Sequence, residues 1–176
     1  MSRLAKKPIS IGKTDVSMSG TTLTVKGPKA TLTKEVHPAV AITVEGKEVM
    51  VAPRDRSRLA KALTGTFVAH VKNMVHGAET PFTKKLVLEG VGYRFELKGK
   101  QLSMNVGFSH PVVLDIPADV TVTLEKNVLT LESPDKESVG QFAANVRRVK
   151  EPEPYLGKGI RYDDEVVRRK QGKKAV

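Results

Sequence analysis

The chain has 176 residues, enough for one domain or two small ones, and its 39% apolar side chains include few aromatic residues. Cysteine is absent, which excludes disulfides, thiolate metal sites and a cysteine nucleophile. The net charge is +11, and the positive excess lies at both ends of the chain and in residues 54–72, while the middle is close to neutral. Positive charge that is segregated in this way favours a polyanionic partner.

The N-terminal segment is basic, but no apolar stretch follows it. A secretory signal is therefore not expected. No run in the chain approaches the roughly 18 apolar residues of a membrane span. We expect a soluble, cytoplasmic protein that makes no membrane contact.

Alternation of apolar and polar residues with a period of two predicts strands over most of the chain, separated by Gly and Asn turn signals. Hairpins are expected in both halves, and a three-stranded meander is expected near the middle. The predicted elements are hairpins around Gly20-Thr21, Gly46-Lys47 and Lys126-Asn127, and a meander of three runs that start at Leu86, Tyr93 and Leu102.

Two segments have the periodicity of helices. For the first, Asp55 is the predicted N-cap and Gly77 the residue after the end. The second begins either with Ser133 as cap and Pro134 as the first helical residue, or with Asp135 as cap. The predicted apolar stripes are Leu59, Leu63, Phe67, Val71 and Met74 or Val75 in the first helix, and Val139, Phe142, Ala143, Val146 and Val149 in the second.

The two halves of the chain resemble each other. Each contains a His-Pro step, at His37 and at His110, followed by strands and a helix, and the helices share a Phe-x-x-x-Val pattern. This pattern predicts an internal duplication of a unit of about 75 residues. We expect an α+β protein with two tandem similar domains, each a mostly antiparallel sheet packed with one α-helix, followed by a basic C-terminal arm. The predicted boundaries are 1–80, 81–150 and 151–176.

No catalytic or metal-binding pattern is found. His70 and His76 are six residues apart on one helix and do not share a face, and the other two histidines precede prolines in a structural setting. No G-x-S-x-G elbow occurs, and Gly90-Val91-Gly92 lies between two strand-like runs, where a bulge or turn is expected. We predict no enzymatic activity, no cofactor, no metal and no small-molecule substrate.

Residues 151–176 combine prolines, glycines and many cations with few large apolar side chains, a composition that suits an extended arm on a polyanion. Glycines on both sides of Lys158 allow close approach to a phosphate, tyrosines can stack on bases, and arginine can form a fork with phosphate. A flexible loop, tyrosines packed back on the second domain and a solvated tail are the alternatives. The candidate binding residues are Tyr155, Lys158, Arg161, Tyr162, Arg168, Arg169, Lys170, Lys173 and Lys174.

The motif EPEPYLGKGIRY at residues 151–162, the segment VRRK at residues 167–170 and Gly172-Lys173 together resemble the bacterial form of the sixth protein family of the large ribosomal subunit. Residues 2–9, 133–136 and 140–143 resemble it as well, so the match covers essentially the whole chain. The resemblance implies two tandem α+β domains and binding to large-subunit rRNA, mainly through the C-terminal domain and tail. It also implies a position near the stalk base and the sarcin–ricin loop, beside neighbouring ribosomal proteins and close to docking elongation factors.

By this resemblance, Tyr155, Lys158, Arg161 and the cluster from Arg168 to Lys174 are rRNA contacts in a cytoplasmic large subunit. We also expect the arm to become ordered only on binding. Leu156 departs from the family, which usually has a basic residue there. The alternative function is a protein-interaction module with a solvated basic tail.

Overall fold

A computed structural model describes residues 7–172 of the chain. It contains two compact units, one formed by residues up to Pro81 together with Pro134–Lys136, the other by Phe82–Ser133 and the residues from Glu137 onward. Each unit has antiparallel sheets, one helix and a separate apolar core, so the predicted α+β class is confirmed. Of the candidate binding residues, Lys173 and Lys174 lie outside the described residues.

The described part of the first unit has six strands and one helix. Its strands form two antiparallel three-stranded sheets, and both predicted hairpins are confirmed, with glycines of positive φ in their turns. The elements are β1 (Ile9–Ser10), β2 (Asp15–Ser19), β3 (Thr22–Lys26), β4 (Thr31–Glu35), β5 (Val40–Glu45), β6 (Glu48–Pro53) and α1 (Arg58–Glu79). The sheet orders are β1-β6-β5 and β2-β3-β4.

Helix α1 differs from the prediction at both ends. Its N-cap is Ser57, whose hydroxyl accepts a hydrogen bond from the Ala60 N–H at 3.0 Å. Asp55, the predicted cap, instead accepts the Ser57 N–H at 2.9 Å, and hydrogen bonds from the side chain and backbone of Ser57 hold the pKa of Asp55 below its ordinary value. The helix continues through Gly77, and Leu59 is exposed because the small Ala60 faces the core in its place.

Up to residue 172, the second unit has seven strands and one helix. The predicted hairpin around Lys126 is confirmed, and the predicted apolar stripe of the second helix lies in the core. The elements are β7 (Phe82–Glu89), β8 (Arg94–Lys98), β9 (Gln101–Asn105), β10 (Val112–Asp115), β11 (Thr121–Glu125), β12 (Val128–Ser133), α2 (Lys136–Val149) and β13 (Gly159–Tyr162). The sheet orders are β11-β12-β7-β13 and β10-β9-β8. The start of α2 follows Asp135, the second of the two predicted caps.

The predicted meander is wrong at its first step. Strands β8 and β9 form a hairpin, but β7 pairs with β12 and β13 and not with β8. The chain leaves β7 at Gly90, where φ is 150° and a Cβ would lie 2.6 Å from the Tyr93 ring. The side chains of Leu86 and Leu88 are fully buried in β7, which explains why this strand takes a central position in the larger sheet.

The predicted duplication is confirmed by the order of the elements. The series β2, β3, β4, β5, β6 and α1 recurs as β8, β9, β10, β11, β12 and α2, and β1 corresponds to β7. The N–H of Ile11 bonds to the Lys47 carbonyl at 3.0 Å, and in the equivalent place the Leu88 N–H bonds to the Asn127 carbonyl at 2.9 Å. Strand β13 has no counterpart among the described residues of the first unit.

The two His-Pro steps are not equivalent. His37 lies between β4 and β5, whereas His110 lies between β9 and β10, one strand earlier in the repeat. The dipeptide therefore recurs in the sequence without marking the same position in the fold. The helix pattern was the valid marker of the duplication.

Candidate nucleic-acid interface

Strand β13 attaches the C-terminal segment to the second unit. It pairs antiparallel with β7, with Arg161 opposite Val87, and the pairing continues with a 3.1 Å bond from the Asp163 N–H to the Lys85 carbonyl. The side chain of Ile160 is fully buried in the core of the unit. Residues 159–162 are therefore a strand of the folded unit and not part of a free arm, because Ile160 supplies the apolar contact that fixes them.

A tight loop precedes this strand. The Glu153 N–H donates to the Lys158 carbonyl at 3.0 Å, and the Gly157 N–H donates to the Glu153 carbonyl at 3.1 Å. Gly157 and Gly159 are buried, with φ of 76° and 143°. A Cβ on Gly159 would lie 2.6 Å from the carbonyl oxygen of Glu151. The loop itself requires these glycines. We predicted that these glycines allow a phosphate to approach the backbone closely. That prediction is wrong, because both glycines are buried.

The loop and the basic tail lie side by side. The Lys170 N–H donates to the Pro154 carbonyl at 2.7 Å, which holds the tail against the loop. At the tip of the loop the Tyr155 side chain is 59% exposed and that of Leu156 62% exposed. Lys158 is half-buried, and the exposed cations beside the loop are Arg168, Arg169 and Lys170. We call the three cations Arg168, Arg169 and Lys170, together with Tyr155 and Lys158, the loop–tail surface.

Glu89 anchors two arginines next to this surface. Its Oε1 atom accepts from Nε of Arg161 at 2.8 Å and lies 2.8 Å from Nη2 of the same guanidinium. Its Oε2 atom lies 3.7 Å from Nη2 of Arg169, which remains largely exposed. Arg161 therefore fixes β13 to the end of β7, whereas Arg169 keeps donors for an external anion. One carboxylate facing two guanidiniums leaves the site positive.

Tyr162 is held within the second unit. Its half-buried ring packs against the core, with Nζ of Lys84 and Cζ of Arg147 at 5.6 and 5.9 Å from its centroid. Its N–H donates to Oε2 of Glu165 at 3.2 Å. Of the alternatives for the two tyrosines, packing on the second domain describes Tyr162, and exposure describes Tyr155.

Arg147 and Glu165 form a two-point ion pair behind the tyrosine. Nε of Arg147 donates to Oε2 of Glu165 at 2.8 Å, and Nη2 donates to Oε1 at 2.6 Å. Hydrogen bonding by Arg147 lowers the pKa of Glu165, and hydrogen bonding by Glu165 raises the pKa of Arg147. This pair ties the residues after β13 to the last turn of α2.

We expect Glu165→Gln to lower the free energy of unfolding of the second unit by about 1 to 2 kcal/mol at neutral pH, because a charge-assisted pair is replaced by a weaker one. The pKa of Glu165 is lower in the folded than in the unfolded state, so its stabilisation is present above the ordinary glutamate pKa of about 4.3 and is lost as the pH falls through the folded value. The difference between the variant and the unmodified protein should therefore disappear in acid.

Urea unfolding followed by tyrosine fluorescence measures this effect. All three tyrosines lie in the second unit and the chain has no tryptophan, so the signal reports that unit. Glu125→Gln, at an exposed strand position, is the matched control and should have little effect at either pH. A loss of stability that is equal at neutral and acidic pH would show that the pair does not contribute through its charge.

Two exposed apolar residues and one half-buried lysine in this region were not found from the sequence. Val91 is 94% exposed at the end of β7, and Phe108 is half-exposed under Nζ of Lys150, 5.3 Å from the ring centroid. The Lys150 carbonyl accepts the Ile160 N–H at 2.8 Å, so this pair lies next to β13. These residues come from separate loops, and no spacing in the sequence relates them.

Residues 7–172 offer few features that suit other functions. No cluster of three or more His, Asp or Glu side chains that could hold a metal ion is present there. The ring of His70 makes an edge contact with Phe67, at 5.8 Å between centroids. Neither helix of this part of the chain is long and apolar enough to span a membrane.

Comparison with known proteins gives a match over nearly the whole chain. The model of the family described as Ribosomal protein L6 matches residues 12–79 and 89–163, one segment in each half. Large ribosomal subunit protein uL6 of Lactiplantibacillus plantarum is 49% identical over 176 residues, covering 98% of each chain. The uL6 protein of Alcanivorax borkumensis is 47% identical, with 99% of each chain covered. That of Caldicellulosiruptor bescii is 46% identical over 98% of this chain and 96% of its own.

Proposed function

Because the chain belongs to the ribosomal protein L6 family and is a structural constituent of the large ribosomal subunit, not an enzyme, we propose that it binds large-subunit rRNA through the loop–tail surface. As part of that subunit it is a cytoplasmic protein that works within a ribonucleoprotein particle. Large-subunit rRNA and neighbouring ribosomal proteins are its partners.

The observation that carries the proposal is the hydrogen bond that holds the basic tail against the exposed tip of the loop, from the Lys170 N–H to the Pro154 carbonyl. It places three consecutive cations beside an exposed aromatic ring, Tyr155. Cations neutralise backbone phosphates, and an exposed ring can stack on an unpaired base or pack on a sugar. Lys158 adds a further cation at the base of the loop.

The candidate residues divide into two groups under this proposal. Tyr155, Lys158 and the three cations of the tail contact rRNA, and Lys173 and Lys174, outside the described residues, remain predicted contacts. Arg161 and Tyr162 position that surface through their contacts with Glu89 and the core. Leu156, at the exposed tip where the family usually has a basic residue, supplies an apolar contact in place of a charge.

We further propose the location that the family resemblance implies. The protein would stabilise rRNA near the stalk base and the sarcin–ricin loop, where elongation factors dock. The positive, ordered edge of the second unit suits such a role, because a rigid platform fixes the RNA helices it touches.

Filter binding of the full chain to a large-subunit rRNA fragment that contains the sarcin–ricin loop and stalk base tests the proposal. At two salt concentrations, this fragment should be bound more tightly than a small-subunit rRNA fragment of equal length, and its affinity should fall steeply with salt. Equal affinity for both fragments would show that the loop–tail surface binds polyanions in general and does not select large-subunit rRNA. Absence of binding would favour the alternative of a protein-interaction module.

A further inference from the structure

The first unit has a sheet edge equivalent to the one that β13 occupies in the second. The matching bonds of Ile11 and Leu88 align Ser10 of β1 with Val87 of β7, which is the residue opposite Arg161 in β13. Within the part of the chain that the structure describes, no strand pairs with the outer edge of β1. Ser10 is an exposed residue. It therefore lies where the equivalent residue of the second unit pairs with the added strand β13.

A groove of about 360 Å³ lies beside this edge. One wall is formed by β1 and the residue before it, with Pro8 and Ser10, and the other by the last turns of α1, with Lys72, Val75 and Glu79. In the second unit the equivalent space between the sheet edge and the helix is filled by Ile160 and the residues that follow it.

The groove has a cation at the position where the second unit has one beside β13. The shared Phe-x-x-x-Val pattern of the two helices places Lys72 of α1 where α2 has Arg147. In the second unit Arg147 holds the carboxylate of Glu165, five residues after Ile160. Lys72 is exposed at the corresponding wall and offers a cation to a carboxylate on an added segment.

We propose that this groove binds an extended segment of another polypeptide, which adds as an antiparallel strand to β1, places a β-branched apolar side chain near Val75 and directs a carboxylate to Lys72. Strand addition takes its affinity from main-chain hydrogen bonds and its specificity from alternate side chains. The proposal does not depend on the rRNA contacts of the second unit.

Pro8 is compatible with this pairing. Proline lacks an N–H and often protects a sheet edge. In the second unit, however, the residue aligned with Pro8 is Lys85, and its carbonyl accepts the Asp163 N–H. Proline retains that carbonyl, so the equivalent bond can form.

A polypeptide fits the groove better than a nucleic acid does. Glu79 contributes a carboxylate to the wall, fixed by the Lys13 N–H at 2.7 Å, opposite in charge to Lys72. The groove therefore lacks the row of cations that a phosphate backbone requires. Val75 is apolar, and the edge of β1 presents backbone groups that match an extended peptide.

The chain supplies its own probe for a test. A synthetic peptide with the sequence of residues 158–166 (KGIRYDDEV) contains the strand that fills the equivalent seat. Titrated into the ¹⁵N-labelled full chain, it should shift the amide signals of Ser10 and of α1 around Lys72 and Val75, with a Kd of about 1 mM. A peptide methylated on the amide nitrogen of Arg161 should lose this effect, because that residue lies in the pairing register.

Charge exchange tests the role of Lys72. Lys72→Glu should weaken peptide binding about two- to fivefold, and a peptide with Glu165→Lys should restore it. Lys61→Glu, at an exposed position earlier on α1, is the matched control and should leave the affinity unchanged.

Three results would overturn the proposal. The first is the absence of shifts at Ser10, and the second is a set of shifts confined to the second unit, which would indicate exchange with β13. The third is perturbation of the groove residues by a large-subunit rRNA fragment in place of the peptide, which would assign the groove to RNA.

Discussion

Ile160→Ala should lower the free energy of unfolding of the second unit by about 2 to 5 kcal/mol, the range for a large aliphatic side chain removed from a core. Ile160 is fully buried, and it is the apolar side chain through which the edge strand β13 enters the core. Its loss removes both the contact energy and the reason for residues 159–162 to remain on β7.

Urea unfolding monitored by tyrosine fluorescence measures this effect in the second unit alone. Val166→Ala is the control, because this side chain is 88% exposed six residues further along the same segment, and its removal should change stability by less than about 0.5 kcal/mol. If both variants were equally stable, β13 would not be anchored by its apolar residue.

The same substitution should weaken rRNA binding even though Ile160 is not exposed to any ligand. The loop of residues 153–158 and the tail are held in place through the strand and its neighbours. When β13 detaches, their cations and Tyr155 become free to separate, and ordering them on RNA then costs conformational entropy. Affinity measured at one salt concentration should fall, while the salt dependence should remain nearly unchanged.

Simultaneous replacement of Arg168, Arg169 and Lys170 by alanine should change the salt dependence of rRNA binding and leave the stability of the second unit nearly unchanged. Each cation that neutralises a phosphate contributes about 0.7 to 0.9 to the slope of log K against log salt, so the slope should decrease by about 2 to 3. Stability of the second unit should be nearly unchanged, because these side chains are exposed. Filter binding to the large-subunit rRNA fragment over a range of salt concentrations measures the slope.

A variant with the same loss of charge elsewhere is the control for this experiment. Lys26, Lys29 and Lys47 are exposed residues of the first unit, and their replacement by alanine removes three positive charges away from the loop–tail surface. If the control reduced the slope as much as the tail variant does, net charge alone would account for RNA binding and the proposed surface would be wrong.

Truncation before Pro152 is a less specific test of the same surface. It would remove Ile160 and the whole of β13 together with the cations, and so expose the outer edge of β7. A loss of RNA binding after such a truncation would not distinguish missing charge from a damaged core. Side-chain replacement in the tail separates the two effects.

Features that depend on neighbouring residues could be predicted from the sequence. The hairpins around Gly20, Gly46 and Lys126 follow from period-two alternation and from residues that accept a positive φ. The face of α2 follows from helical periodicity, and the duplication from the repeated helix pattern and the series of strands. These features are local, so their signals are present in short windows of sequence.

The contacts between distant segments could not be predicted from the sequence and are known from the fold alone. The partners of β7 are β12 and β13, and Arg161 bonds to Glu89, 72 residues earlier in the chain. This contact holds Arg161 to the end of β7, and the backbone of Glu151 leaves no room for a Cβ at Gly159. No periodicity or spacing encodes such pairings, because they depend on which apolar side chains, such as Ile160, complete a core assembled from remote parts of the chain.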